Sequence, residues 1–352
     1  MQALRRDNTI NERSISIMTN EKNRIEFIDL AKGFCIILVV FNHIHKPFDA
    51  PYMLADCFKM FRMPLYFFLS GLFFKTYEGF DGFMKRKTNK LLIPFAFFFL
   101  LTSCLLPNAI AVWKGQPVDI SLFWSFFTPE FFPNFPIWFL LCLFELNIIF
   151  YIIYLIAEKC GQHHILVMSI LSFLIGGIGY TLGHQRINLN MFLDSAMSAL
   201  PFFFIGFVTR KYTHILEKGK LDKWNIPMAV ALMSITYFFA HHIDYSTNKF
   251  TNVSFLTVYG CGLTGVFAVI FLSKAIGRLP FISYIGRYSI MLLCTHFLII
   301  TPLNGKLRQM IPSEWTIIII SLVITLALYA IIIPFMKRFM PHVTAQKDVI
   351  KV

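Results

Sequence analysis

The sequence predicts an all-α, polytopic membrane protein with about ten transmembrane helices and both termini in the cytoplasm. Hydrophobic residues make up 57% of the 352-residue chain and charged residues only 14%. In an ordinary soluble domain about 25% of the residues are charged. The apolar residues are also grouped into stretches of about 20, the length at which a helix crosses a bilayer. Lys and Arg residues are distributed unevenly between the connecting segments, which predicts the orientation.

Ten predicted spans follow one another with short connections. They cover residues 28–46, 58–77, 91–112, 135–157, 165–183, 190–209, 226–242, 253–273, 281–303 and 315–336. The first 24 residues are polar and contain no apolar core of a signal peptide. We therefore expect a polar cytoplasmic extension over 1–24, a transmembrane domain over 25–338 and a cytoplasmic tail over 339–352.

The basic residues predict which side of the membrane each connection occupies. With a cytoplasmic N-terminus, 22 of the 32 Lys and Arg residues fall on the cytoplasmic side and eight on the opposite side. The other two, Lys32 and Arg287, lie within spans. Such a bias is typical of membrane topology and of contact with membrane lipids. The net charge of +13 therefore does not indicate a nucleic-acid partner.

Cysteine and histidine patterns predict neither disulfides nor a metal site. The seven cysteines lie mostly inside predicted spans and include no Cys-x-x-Cys pair, which is typical of small buried hydrophobic residues. Two adjacent histidine pairs, at 163–164 and 241–242, lie in loops without the carboxylate or cysteine spacing of a metal site.

Two ionisable residues in the first span are the strongest functional signal, because hydrocarbon disfavours charged groups. Lys32 and His43 are eleven residues apart. That is nearly a whole number of helical turns, so both project from nearly the same face, about 16 Å apart along the axis. Asp29 lies three residues before Lys32, so a juxtamembrane ion pair is the alternative role for this lysine. For His43 the alternative is a capped interfacial histidine.

The second span adds Arg62 and Ser70. A short connection between the first two spans brings Arg62 to a depth similar to that of His43. Ser70 lies about midway through the membrane, where its hydroxyl can return a hydrogen bond to its own backbone. A structural role therefore competes with substrate binding at Ser70. Gly71 allows close approach of a neighbouring helix.

A basic cluster follows the second span and consists of Lys85, Arg86, Lys87 and Lys90. Such a cluster can enforce topology or contact anionic lipid head groups. It can equally bind the phosphates of a cytoplasmic donor that carries a nucleotide. Charge alone leaves both roles open.

Polar residues also occupy later spans. Trp138 begins the fourth span, and Glu145 lies near its middle, where a carboxylate must be protonated or find a partner. Arg287 opens the ninth span, and His296 follows in its outer half. His43 and His296 either flank one reaction centre or form unrelated interhelical hydrogen bonds.

Taken in order, these segments resemble acyltransferase family 3, the multi-pass membrane O-acyltransferases that modify bacterial surface glycans. The resemblance extends over roughly residues 24–337. It rests on the spacing from Lys32 to His43, the segment Met63-Pro-Leu-Tyr-Phe-Phe-Leu-Ser-Gly71, the basic segment running into Leu91-Leu-Ile-Pro94, Trp138-Phe-Leu140, Leu200-Pro-Phe-Phe-Phe-Ile-Gly206, and Ile285-Gly-Arg-Tyr-Ser289 ahead of His296.

The resemblance implies a protein of the bacterial inner membrane with a ten-helix core. It would take an acyl group, usually acetyl, from cytoplasmic acyl-coenzyme A. The acceptor would be a hydroxyl of a cell-surface glycan or its lipid-linked saccharide precursor. His43 matches the position regarded as catalytic, and Lys32 matches the basic member of its motif. Many relatives carry Arg at the positions of Lys32 and Lys90, and Lys lacks the bidentate fork of Arg.

From the residues and the resemblance together, we expect three groups of site residues and no metal. The catalytic candidates are His43 as general base, Lys32 as the guide of the donor's pantetheine arm, and Arg62 at the developing oxyanion. The donor-binding candidates are Arg86, Lys87 and Lys90. The substrate-binding candidates are Trp138, Glu145, His296 and Ser70, with His296 as the alternative oxyanion donor.

A secondary transporter or a flippase of a glycan or glycolipid is the alternative from another functional class. Such proteins also have about ten helices and scattered intramembrane charges. The sequence shows no inverted repeat and no matching pair of Gly- or Pro-broken helices, which many transporters contain. The basic cluster also suits an anionic cytoplasmic donor better than an ion-coupled site. The sequence therefore favours acyl transfer.

Overall fold

A computed structural model describes residues 25–45, 53–127, 132–217 and 223–351. Within these ranges the chain contains helices, turns and one isolated antiparallel bridge between Asp244 and Lys249, and no β-strand. The predicted all-α class is confirmed. The polar extension predicted over residues 1–24 lies outside the described residues.

Eleven helical segments form the described part of the chain, apart from short 3₁₀ turns. They are α1 (Glu26–His45), α2 (Met53–Leu72), α3 (Phe80–Trp113), α4 (Trp138–Glu158), α5 (His164–His184), α6 (Leu193–Tyr212), α7 (Asn225–Phe238), α8 (Phe255–Ile276), α9 (Pro280–Arg287), α10 (Ser289–Met310) and α11 (Glu314–Phe339).

Eight helices of the described residues are long and apolar enough to cross a membrane, namely α1, α3, α4, α5, α6, α8, α10 and α11. Each of the ten predicted spans coincides with helical structure, but α2 and α7 are not among these eight helices. Helix α2 carries Asp56, Lys59 and Arg62, and α7 has only 14 residues. The chain is thus a polytopic membrane protein, as predicted.

Two predicted spans differ from the structure in their boundaries. The second span is expected over 58–77, whereas α2 begins at Met53 and ends at Leu72. The ninth span is expected to be continuous, but it is broken at Tyr288, whose backbone is not helical (φ −112°, ψ 26°). Hydropathy could not show this break, because both flanking segments are apolar. Arg287 consequently lies at the end of the short helix α9.

Pairs of glycines let two sets of helices touch backbone to backbone. In the crossing of α2 and α6, a Cβ added at Gly71 would collide with the carbonyl oxygen of Phe203, and one added at Gly206 with that of Phe68. Small residues at such crossings increase van der Waals contact between helices in lipid. The close approach predicted at Gly71 is therefore present.

The same arrangement joins α1 to α9. A Cβ at Gly33 would collide with the carbonyl oxygen of Ile282, and a Cβ at Gly286 would collide with that of Asp29. This contact fixes the part of α1 that carries Lys32 and brings Arg287 next to it.

Helix α3 contains two π-helical stretches, Thr88–Leu92 and Phe99–Leu105. Such stretches are rare and often occur at functional sites. The first contains Asn89, whose buried side chain binds the C-terminal tail. Its amide nitrogen donates to the carbonyl of Ile350 (2.7 Å), and its oxygen accepts from the backbone nitrogens of Val349 and Ile350 (2.9 Å each). The expected tail therefore packs against α3.

Replacing Gly71 by Ala should lower the unfolding temperature of the detergent-purified protein. The added methyl group would meet the Phe203 carbonyl, and overpacking of this kind costs about 1–3 kcal/mol. The effect is measured by heating the protein and determining, by gel filtration, the temperature at which the monodisperse peak is lost.

Gly177→Ala in α5 is the matched control, because a Cβ there meets no atom within 4 Å. Ala also favours a helix over Gly by about 1 kcal/mol. This variant should unfold at the same temperature as wild type or higher. Equal destabilisation by both substitutions would contradict the described crossing.

Candidate functional site

One cavity of about 440 Å³ lies between α1, α2, α3, α4 and the junction of α9 and α10. We call it the basic cavity, because four cations line it: Lys32, Lys87, Lys90 and Arg287. The rest of its wall is mainly apolar or aromatic. Along α1 it extends from Lys32 to Val39, about 10 Å at the rise of an α-helix. A long ligand with an anionic end matches this shape.

Aromatic rings and carboxylates hold the cations of the basic cavity. The Lys32 ammonium lies 5.8 Å from the centre of the Phe73 ring, and the Lys87 ammonium lies 5.5 Å from that of Phe83. Arg287 pairs with Asp29, with Nε 3.8 Å from Oδ2. Cation–π contacts keep lysines in place without neutralising them. The cavity therefore keeps a positive character.

Of the predicted donor-binding residues, the structure brings Lys87 and Lys90 to the cavity wall but not Arg86. Arg86 is exposed and stacks on the ring of Tyr77, 4.7 Å from its centre. Tyr77 itself lines the cavity. Arg86 thus lies at the rim.

Lys90 also contacts the C-terminal tail. Its ammonium donates to the carbonyl of Ala345 (2.9 Å) and pairs with the carboxylate of Asp348 (3.0 Å). Both groups are partly exposed, so the ion pair contributes less than about 1 kcal/mol. An anion entering the cavity at Lys90 would compete with Asp348.

A second, smaller space of about 40 Å³ lies further along α1. We call it the histidine pocket. The structure brings His43, Arg62 and Trp138 together in its wall, from α1, α2 and α4. Three predicted residues from distant parts of the sequence therefore share one site.

His296 packs directly against His43. The centres of the two imidazole rings are 5.2 Å apart. His296 Nδ1 lies 2.7 Å from the carbonyl of Leu292, so Nδ1 carries the hydrogen and donates it. The other nitrogen, Nε2, then has a lone pair, and it is buried without a hydrogen-bond partner among the described residues. His296 lines neither the basic cavity nor the histidine pocket, so it adjoins the site only through His43, and its free nitrogen is an acceptor, not a donor.

The remaining two predicted site residues differ in their placement. Ser70 lines the basic cavity. Glu145 lines neither the cavity nor the histidine pocket; it interacts electrostatically with Asp194 of α6. The midspan position of Glu145 was the only sequence signal for a role in binding, and it does not specify which way the side chain faces.

A loop whose location no sequence pattern indicates completes the histidine pocket. Asp244, Tyr245 and Ser246, from the connection between α7 and α8, line it. The Asp244 carboxylate accepts from the backbone nitrogen (2.8 Å) and hydroxyl (2.6 Å) of Ser246, forming an Asx turn. Burial raises the pKa of the Tyr245 hydroxyl well above its usual range, so this group stays protonated. The Asp-x-Ser pattern predicts the turn but not its location.

Within residues 25–45, 53–127, 132–217 and 223–351, no group of three or more His, Cys, Asp or Glu side chains could hold a metal ion. A family model described as an acyltransferase domain matches residues 25–334, nearly the whole chain. No curated protein and no solved structure matches the chain.

Asn89→Ala should release the C-terminal tail from α3, because it removes three hydrogen bonds to Val349 and Ile350. Limited trypsin digestion of the purified protein should then cut at Lys347 several times faster than in wild type. Mass spectrometry of the released peptide measures the rate.

Lys85→Ala is the control for this experiment. Lys85 pairs with Asp81 one turn away on its own helix (2.6 Å). Its replacement removes a nearby cation and leaves the three hydrogen bonds of Asn89 in place. Its digestion rate should equal that of wild type. An unchanged rate in Asn89→Ala would show that the tail is not held by this side chain.

Proposed function

The chain belongs to the acyltransferase-domain family and is a membrane acyltransferase; we propose that it moves an acetyl group from cytoplasmic acetyl-coenzyme A to a hydroxyl of a glycan. The acceptor is a cell-surface glycan or its lipid-linked saccharide precursor, and the membrane is the bacterial inner membrane. One observation carries the proposal: α1 places Lys32 in the basic cavity and His43 in the histidine pocket, and the two spaces share part of their wall.

The basic cavity is the proposed donor site. The coenzyme's phosphates bind at the end that carries Lys87 and Lys90, with Arg86 at the rim, because these cations suit phosphate oxygens. The pantetheine arm lies along α1 past Lys32. The distance from Lys32 to His43, about 16 Å along the helix, is comparable to the reach of the extended arm. The thioester then arrives beside His43.

The histidine pocket is the proposed meeting point of the acceptor hydroxyl and the acetyl group, and the rest of the saccharide lies outside this small space. His43 takes the proton of the acceptor hydroxyl as that oxygen attacks the thioester carbonyl. The carbonyl oxygen becomes an oxyanion, and Arg62 is positioned to stabilise it. The carbon–sulfur bond then breaks, and the coenzyme thiolate leaves and takes the proton back from His43. The products are an O-acetyl ester and free coenzyme A.

His296 has a different proposed role from Arg62. Because its Nδ1–H is bound to the Leu292 carbonyl, only Nε2 is available, and this atom accepts hydrogen bonds. His296 therefore suits the protonated form of His43, whose ring it contacts, rather than an oxyanion. Trp138 lines the histidine pocket, and we assign its aromatic ring to a sugar ring that lies at the edge of this pocket.

His43→Ala should reduce acetyl transfer about 10²–10⁴-fold, the usual contribution of a general base. The measurement is the incorporation of label from radiolabelled acetyl-coenzyme A into base-labile esters of extracted glycans and glycolipids. Membranes containing equal amounts of folded protein are compared.

His45→Ala is the matched control, since His45 lies two residues further along α1, stacks on Phe41 and does not line the histidine pocket. It should retain most of the activity. Full activity of His43→Ala would remove His43 from the mechanism. No incorporation by wild type with any acyl-coenzyme A would favour the transporter or flippase.

A further inference from the structure

Three buried apolar residues separate the basic cavity from the histidine pocket. Val39, Met63 and Leu293 line both spaces. Their side chains are 5%, 8% and 7% exposed. They come from α1, α2 and α10, so three different helices contribute to one shared wall. We call these three residues the apolar collar.

The collar lies next to the polar groups of the histidine pocket. Val39 is one helical turn before His43 on α1. Met63 adjoins Arg62 on α2. A ligand that runs along α1 from Lys32 to His43 must therefore pass between the collar side chains.

The space on the two sides of the collar differs about tenfold. The basic cavity measures about 440 Å³ and the histidine pocket about 40 Å³. A cavity measured this way needs about 10–15 Å³ to hold one water molecule, so the pocket holds about three atoms of that size. The acetyl group has three heavy atoms. Each further methylene has to find room in the wall of the pocket, and the collar residues form the part of that wall that is shared with the basic cavity.

We propose that the apolar collar selects the acyl group by its length. This proposal rests on the proposed function, and it names Val39, Met63 and Leu293 as specificity-determining residues. The coenzyme's arm lies on the side of the basic cavity and the acyl carbonyl on the side of His43, so the alkyl chain must point into the histidine pocket. There the collar admits acetyl and blocks butyryl and longer chains.

The three collar residues contribute differently. Met63 has an unbranched, flexible side chain that adapts to a passing group, whereas Val39 is stiff at χ1. Leu293 lies one turn before His296 on α10 and closes the third side. Shortening Met63 or Leu293 should enlarge the pocket at the point where a longer acyl chain would lie.

The test compares acetyl-coenzyme A with butyryl-coenzyme A as donors for wild type, Met63→Ala, Leu293→Ala and Val39→Ala. The measured quantity is the ratio of kcat/KM for butyryl to that for acetyl. Because one methylene in an apolar pocket changes this ratio by about 10–200-fold, the collar variants should raise it at least tenfold. Val39→Ala removes little volume and remains available if a larger truncation fails to fold.

Leu143→Ala is the matched control. Leu143 lines the basic cavity only and is 8% exposed, similar to Leu293. It should leave the ratio unchanged. An unchanged ratio in all folded collar variants, or an equal rise of the ratio in Leu143→Ala, overturns the proposed role of the collar. The proposed function is still supported in that case if the wild type transfers acetyl. Absence of transfer from either donor by wild type overturns both.

Discussion

The site depends on close backbone contact between helices at paired glycines. Gly33 and Gly286 join α1 to α9, and Gly71 and Gly206 join α2 to α6. In lipid the hydrophobic effect does not draw helices together, so their positions depend on packing and hydrogen bonds. Helices α1 and α2 carry His43, Arg62 and two of the three collar residues. A displacement at either glycine crossing would therefore change the basic cavity and the histidine pocket together.

Hydrogen bonds of buried polar residues join helices inside this bundle. Asn304 is an example: its amide donates to the carbonyl of Ile44 (3.4 Å) and accepts from the hydroxyl of Ser321 (2.6 Å), which ties α10 to α1 and α11. Asn248 likewise joins a loop to Gly179 and Ser198. His296 differs, because its buried Nε2 has no such bond within the described residues. A buried acceptor of this kind is unfavourable unless a ligand uses it.

The sequence predicts the helices well and the site only in part, for a physical reason. Hydropathy and helical period depend on neighbouring residues, so they locate α1 and show that Lys32 and His43 lie on the same face of it. Which side chains meet depends on how each helix is rotated about its axis, and neither pattern contains this rotation. Glu145, for example, lines neither space. The loop at Asp244 and the tail contact of Lys90 join parts of the chain distant in sequence, which a single sequence cannot pair.

In the proposed mechanism the donor crosses the collar from the basic cavity to His43. The most direct measurement is an experimental structure of the membrane-embedded protein with a non-hydrolysable thioether analogue of acetyl-coenzyme A. We expect phosphate density beside Lys87 and Lys90, with the analogue's acetyl-like end between the collar and His43. An analogue bound outside the basic cavity, or one whose reactive end lies away from His43, would contradict this mechanism.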